Sequence, residues 1–158
     1  VIEIFNRIKN QGSKVFPITH KEMTRFWVSL EESVYFVLES LEKMRGGEIF
    51  VPKIPSIKIT DLAKYIAPGL KTNFIGIRPG EKFHEVLCPR DDSHLVVEFR
   101  KYFIIRPTID MIKKVNYLKN TAGEKGKKVK KDFEYNSFNN KSWLNKKELL
   151  KLIKEDIN

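Results

Sequence analysis

Asn73-Phe74-Ile75-Gly76-Ile77-Arg78-Pro79-Gly80-Glu81-Lys82 joins an apolar run to a tight turn. The first five residues read as a short buried strand. Arg78 then stands at the strand end, and Pro79-Gly80 turns the chain immediately afterwards. Such a turn can hold Arg78 and Glu81 on the same side of a cleft. A guanidinium forks onto phosphate oxygens, and a carboxylate accepts from sugar hydroxyls, so the pair suits a nucleotide-sugar. Arg-Pro-Gly also occurs as an ordinary exposed turn, and the heptad from Gly76 to Lys82 alone does not separate the two.

Upstream, Ser29-Leu30-Glu31-Glu32 has the form of a capping box. Leu30, Val34, Val37, Leu38 and Leu41 follow as the apolar stripe of an amphipathic helix, with Gly46-Gly47 as its stop. Glu48-Ile49-Phe50-Val51 reads as a strand closed by Pro52, and Ile57-Lys58-Ile59 as a second extended piece. Thr60 or Asp61 is the expected cap of a helix through Leu62, Ala63, Ile66 and Ala67, stopped by Pro68-Gly69.

Downstream, residues 83–87 are ambiguous between helix and strand. His94 to Phe99 and Tyr102 to Ile105 predict a hairpin. Residues 110–141 show little periodicity and read as a long irregular segment. A last helix is expected from near Asn145, with Glu148 three residues on and Leu149, Leu150 and Ile153 packing. The fold class is mixed α/β, with short strands and helices alternating.

At 158 residues the chain has the length of one domain, and 41% hydrophobic with 32% charged residues indicates a globular class. Apolar runs fall short of a membrane span, and no stretch reads as a signal peptide. The single cysteine, Cys88, cannot form an internal disulfide, which fits a reducing, cytoplasmic setting. Val1 opens directly into a helical pattern of Ile2, Phe5 and Ile8, stopped at Gly12, as in the downstream part of a longer chain.

The net charge of +10, with lysines concentrated in residues 125–131, suits nucleic acid or any anionic small molecule. RNP-type, zinc-finger and helix-turn-helix patterns are lacking, so nucleic acid is the alternative and not the leading partner. His20, His84, His94 and Cys88 lack a metal-ligand spacing, and no metal is expected. There is no glycine-rich loop after a strand, and Tyr-x-x-x-Lys is missing: Tyr35 is followed at the fourth place by Glu39, Tyr65 by Gly69.

Three blocks together carry a resemblance. They are Phe16-Pro17-Ile18-Thr19-His20 with Met23-Thr24-Arg25-Phe26-Trp27; Gly46 through Ser56; and Gly76 through Glu85, followed by Asp91-Asp92-Ser93-His94. In this order and spacing they resemble the C-terminal half of the inverting UDP-N-acetylglucosamine 4,6-dehydratases. Those are extended short-chain dehydrogenase/reductases that begin pseudaminic acid synthesis.

The resemblance implies a substrate-binding part of a Rossmann-type enzyme whose nucleotide-binding core lies largely outside this chain. It places the substrate lobe at residues 1–109 and a C-terminal extension at 110–158. The family holds NADP and its catalytic Asp, Lys and Tyr in the N-terminal Rossmann half, so this chain carries no catalytic residue and alone is expected to be inactive. The implied partners are UDP-GlcNAc, that N-terminal half and further copies of the complete enzyme, with no membrane. A related UDP-sugar dehydratase or epimerase remains an alternative owner of the lobe.

Five positions match substrate contacts of the resembled enzymes or their relatives. Val1 falls in a loop that meets the sugar nucleotide, Thr19 offers a hydroxyl, Arg25 lies near the phosphates, Arg78 clamps the diphosphate and Glu81 accepts from ribose hydroxyls. Simpler roles stand beside these: Thr19 as a turn cap and Arg25 paired with Glu22 or another acid. Met23, Phe26 and Trp27 read as packing, and His84 as structural. The strand near Glu48–Val51 would join the Rossmann sheet. Alone, the chain would expose that strand's edge and the apolar helix face that begins at Leu30.

Overall fold

The computed structural model describes residues 7–8, 10–12, 15–109 and 115–155. Strand β1 (Val15–Ile18) buries Phe16 and Ile18 and exposes Val15 and Pro17, the two-residue period of a half-buried strand. It runs parallel to β5 (Lys71–Phe74), with Ile18 opposite Phe74. Between them the chain makes β2 (Thr24–Phe26), helix α1 (Leu30–Lys43), β3 (Ile49–Pro52), β4 (Ser56–Lys58) and helix α2 (Ile59–Ile66). β2 and β4 pair antiparallel. α2 buries Ile59, Leu62, Ala63 and Ile66, the spacing of one helix face. These residues join Phe16, Ile18, Met23 and Ile57 in one core.

The second half is an antiparallel sheet in the order β3-β8-β7-β9, where β7 is Val96–Glu98, β8 Tyr102–Ile105 and β9 Lys127–Lys128. All four residues of β8 are buried, because both faces of this central strand are covered. Phe103 and Ile105 pack with Val51, Cys88, Val96 and Tyr135; Tyr102 and Ile104 pack with Val97 and Phe99. β6 (Val86–Cys88) pairs with β10 (Tyr135–Asn136). Helix α3 (Lys146–Glu155) returns Leu149, fully buried, to the first core.

The Ser29–Glu32 box forms as expected, with Ser29 Oγ accepting from Glu32 N at 3.1 Å and Ser29 N donating to Glu32 Oε2 at 3.1 Å. The expected stop at Gly46-Gly47 is corrected. α1 ends at Lys43, and Arg45 is drawn off to donate its N–H to Glu48 and its side chain to the carbonyls of Lys119 and Asn120. The expected cap at Thr60 or Asp61 is also corrected. β4 runs straight into α2, and the N–H of Ile59 is satisfied by the carbonyl of Met23 at 3.0 Å.

The strand expected to be buried over residues 73–77 is four residues long, earlier in the chain and exposed throughout. β5 pairs only with β1, and Phe74 remains 50% exposed, since no described element covers this face. Residues 115–141 are more ordered than their composition suggested: they supply β9 and β10 and bury Asn120, Tyr135 and Ser137. The stripe of Ile2 and Phe5 lies outside the described residues.

Candidate functional site

Residues 75–85 leave the end of β5 as an exposed loop. The N–H of Ile75 donates to the carbonyl of Ile18 at 2.9 Å, extending the β1–β5 pairing by one rung. Gly76 and Gly80 both take positive φ, 83° and 80°, which lets the chain reverse tightly around Arg78. Glu81 N closes the turn on Arg78 O at 3.1 Å.

Three of the five expected site residues come together here. Thr19, on the bend that follows β1, donates its hydroxyl to Glu81 Oε1 at 3.0 Å. The backbone N–H of Arg78 donates to Glu81 Oε2 at 3.3 Å. Both carboxylate oxygens are thereby oriented and each keeps a lone pair for a further donor. The Arg78 residue is exposed, and its guanidinium has no carboxylate partner among the described residues.

Arg25 sits at the other end of the loop. Its Nη1 donates to the carbonyls of Thr24 (2.7 Å) and Phe83 (3.3 Å), and its Nε lies 3.8 Å from Glu85 Oε1. The acid beside Arg25 is therefore Glu85, not Glu22. Val1 lies outside the described residues. Met23 is buried in the first core and Phe26 packs on Tyr135, as their apolar character suggested.

Thr24, Glu85 and Ser137, which carry no role in the sequence pattern, meet His84, expected to be structural, at the far end of this loop. The Glu85 carboxylate accepts from Phe26 N at 2.7 Å, and Thr24 Oγ1 lies 2.7 Å from both His84 Nδ1 and Ser137 Oγ. Burial, aided by the positive charge of Arg25, holds the His84 pKa below its ordinary value. Glu85 was within reach of sequence reasoning, as the last residue of the third block. Ser137 was not, since nothing in the spacing of a lone serine ties it to Thr24. Cys88 is buried and its thiol is pushed up to about 12, first by burial and then by Asp92, which leaves it inert.

Among the described residues no cluster of His, Cys, Asp and Glu could hold a metal ion, and no helix is long and apolar enough to cross a membrane. Among the described residues, β4 passes into α2 without a glycine loop, and the bend after β1 leads to β2.

Comparison with known proteins decides the family. A family model described as "Polysaccharide biosynthesis protein" matches residues 1–107. The chain belongs to the polysaccharide biosynthesis protein family. Within that family it is 53% identical, over 97% of its length, to a protein named UDP-N-acetylglucosamine 4,6-dehydratase (inverting) from Campylobacter jejuni subsp. jejuni serotype O:2, of which it covers 46%. It is 40% identical, over 97% of its length, to a Rickettsia akari protein named UDP-glucose 4-epimerase, covering 44% of that protein. The X-ray structure of Pen from Bacillus thuringiensis superposes with a TM-score of 0.76 at 29% identity, over 99% of this chain and 46% of that one. The resemblance carried by the three sequence blocks is borne out. The chain spans less than half the length of the relatives it matches.

Proposed function

We propose that this chain is the UDP-sugar-binding part of a UDP-N-acetylglucosamine 4,6-dehydratase, a lyase of nucleotide-sugar biosynthesis that inverts C5 and leads toward pseudaminic acid. The observation that carries the reading is the hydrogen bond that joins Thr19, on the bend after β1, to Glu81 in the turn that presents Arg78. Arg78 offers a forked cation to the diphosphate, and Glu81, oriented by Thr19, accepts from ribose hydroxyls. Arg25 adds positive charge at the far end of the loop, and Val1 is assigned a backbone contact. Residues 1–109 form the substrate lobe, and 110–158 are the extension that braces it.

In this reading NADP, which supplies hydride chemistry to the complete enzyme, is held by an N-terminal Rossmann half. No residue of this chain is assigned to it. The complete enzyme is a cytoplasmic homo-oligomer. The 158 residues supply the nucleotide clamp of a composite site and alone do not turn over substrate.

Calorimetric titration of UDP and UDP-GlcNAc tests the reading, with the chain alone and with the N-terminal half of the Campylobacter relative added. Binding in the reconstituted pair, abolished or weakened by replacing Arg78, is the expected result. Salt-sensitive nucleic-acid binding without any UDP binding would overturn it in favour of a basic nucleic-acid module.

A further inference from the structure

The polar groups behind the loop form one connected chain whose direction can be worked out. Glu85 donates its backbone N–H to Ser137 Oγ at 2.9 Å. Ser137 Oγ meets Thr24 Oγ1 at 2.7 Å, and Thr24 Oγ1 meets His84 Nδ1 at 2.7 Å. Thr24 and Ser137 are fully buried, and each hydroxyl has one proton to give. With Ser137 already accepting from Glu85, every proton finds an acceptor when Ser137 donates to Thr24 and Thr24 donates to His84. His84 Nδ1 is then the acceptor, with the ring proton on Nε2. The reverse order, starting from a proton on Nδ1, makes Ser137 accept twice and leaves its own proton without a partner, a costly state in a buried group.

The same residues grip the backbone just beyond the Arg78–Glu81 turn. Ser137 N donates to Glu85 O at 2.8 Å, Thr24 N to Phe83 O at 3.0 Å, and Phe26 N to the Glu85 carboxylate at 2.7 Å. The near end of the loop is held by Ile18 and Thr19. Residues 76–80 are all exposed, so side-chain packing contributes little to their position. Where Arg78 and Glu81 sit depends on the two anchors.

We infer that Thr24 and Ser137 are positioning residues of the sugar-nucleotide site, fixing the far end of the Arg78–Glu81 loop through a proton-directed chain that ends on neutral His84. The segment around Ser137, beyond the family-matched residues 1–107, thereby becomes part of the site. The identity of the ligand rests on the function proposed above; the anchoring of the loop does not. The groups facing His84 are Arg25 on β2, and Glu22 and His20 in the β1–β2 connection, with the rings of Phe83 and Phe138 alongside. Glu85, next in the chain, is turned toward Phe26 and Arg25. Protonating His84 turns Nδ1 into a donor and reverses the chain, so loop order and ligand affinity fall together in acid.

The test uses the full chain with Thr24→Val, Thr24→Ser and Ser137→Ala. Hydrogen exchange of residues 76–85 and UDP titration in the presence of the N-terminal half are both measured. Thr24→Val and Ser137→Ala should speed exchange and weaken UDP binding, each about tenfold, the scale of one buried hydrogen bond. Thr24→Ser, which keeps the hydroxyl, should restore both, and nitrogen NMR should show His84 Nδ1 unprotonated at neutral pH. Exchange unchanged in Thr24→Val and Ser137→Ala, or a proton on Nδ1 in the unaltered chain, overturns the inference. So does equal UDP binding by the unaltered chain and both variants, an outcome that leaves the proposed function standing. Absence of UDP binding by the unaltered chain, with exchange responding as expected, instead removes the UDP reading and keeps the anchoring.

Discussion

Arg78 and Glu81 divide the work of the turn in a way that single substitutions can separate. Arg78→Ala removes an exposed cation that no carboxylate in the described structure engages, so the fold should be unaffected. UDP binding in the reconstituted pair should weaken by about 1.5–3 kcal/mol, the scale of a charge-assisted contact. An unchanged calorimetric affinity would remove Arg78 from the site. Thr19→Val should act indirectly, by freeing Glu81 Oε1, and weaken binding by about 0.5–1.5 kcal/mol. His84 adds a pH dependence. Its pKa in the fold lies below the ordinary 6.5, so in acid the unfolded chain takes up a proton that the fold resists. Stability is whole above that value and falls as pH drops from it toward the lowered folded value. Urea midpoints across this window should show the decline, and His84→Asn should flatten it.

Helix ends and turns show how far local pattern reaches at the scale of elements. Asn145 and Glu148 cap α3 reciprocally, with Asn145 Oδ1 accepting from Glu148 N at 3.1 Å and Glu148 Oε2 from Asn145 N at 2.9 Å. Asn145→Ala should cost about 1 kcal/mol in chemical denaturation, because α3 brings Leu149 into the first core. In the turn closed by Phe133 N on Lys130 O, Asp132 holds φ at 59°, where a side chain is disfavoured. Asp132→Gly should raise stability by about 0.5–1 kcal/mol, with no change in UDP affinity. The capping boxes were legible because donor and acceptor lie three residues apart. The end of α1 and the start of α2 were not, because Arg45 and Ile59 are satisfied by Lys119, Asn120 and Met23, far away in sequence.

At the scale of the whole molecule, the described residues leave a large apolar surface open on α1. Along α1, Leu30, Val34, Leu38 and Leu41 are between 51% and 75% exposed, and no residue of the helix is buried. β3 lies at the edge of its sheet, and its first residue, Ile49, is 61% exposed. A face of this kind promotes association when nothing covers it. Sedimentation of the isolated chain should reveal oligomers, and Val34→Glu with Leu38→Lys should shift them toward monomer. A monomeric chain with one sharp, cooperative unfolding transition would contradict this. The lysines of residues 127–131 show why net charge alone says little about partners. Lys127 is matched to Glu98, while Lys128, Lys130 and Lys131 line a shallow cavity of about 180 Å³ with Ser93 and His94, and no residue of the Arg78 loop lines it.

By itself the sequence determined the family, through three blocks whose order and spacing are specific, and it determined the turn that carries Arg78 and Glu81. The helical face of α2 was written in local periodicity, which a backbone of fixed geometry reads directly. Only the tertiary structure decided that Thr19 orients Glu81 across 62 residues and that Ser137 meets Thr24 across 113. A hydroxyl can serve as a cap, a ligand or a brace with equal ease. Its role is set by the partner that chain closure brings within 3 Å, and no local spacing encodes that partner.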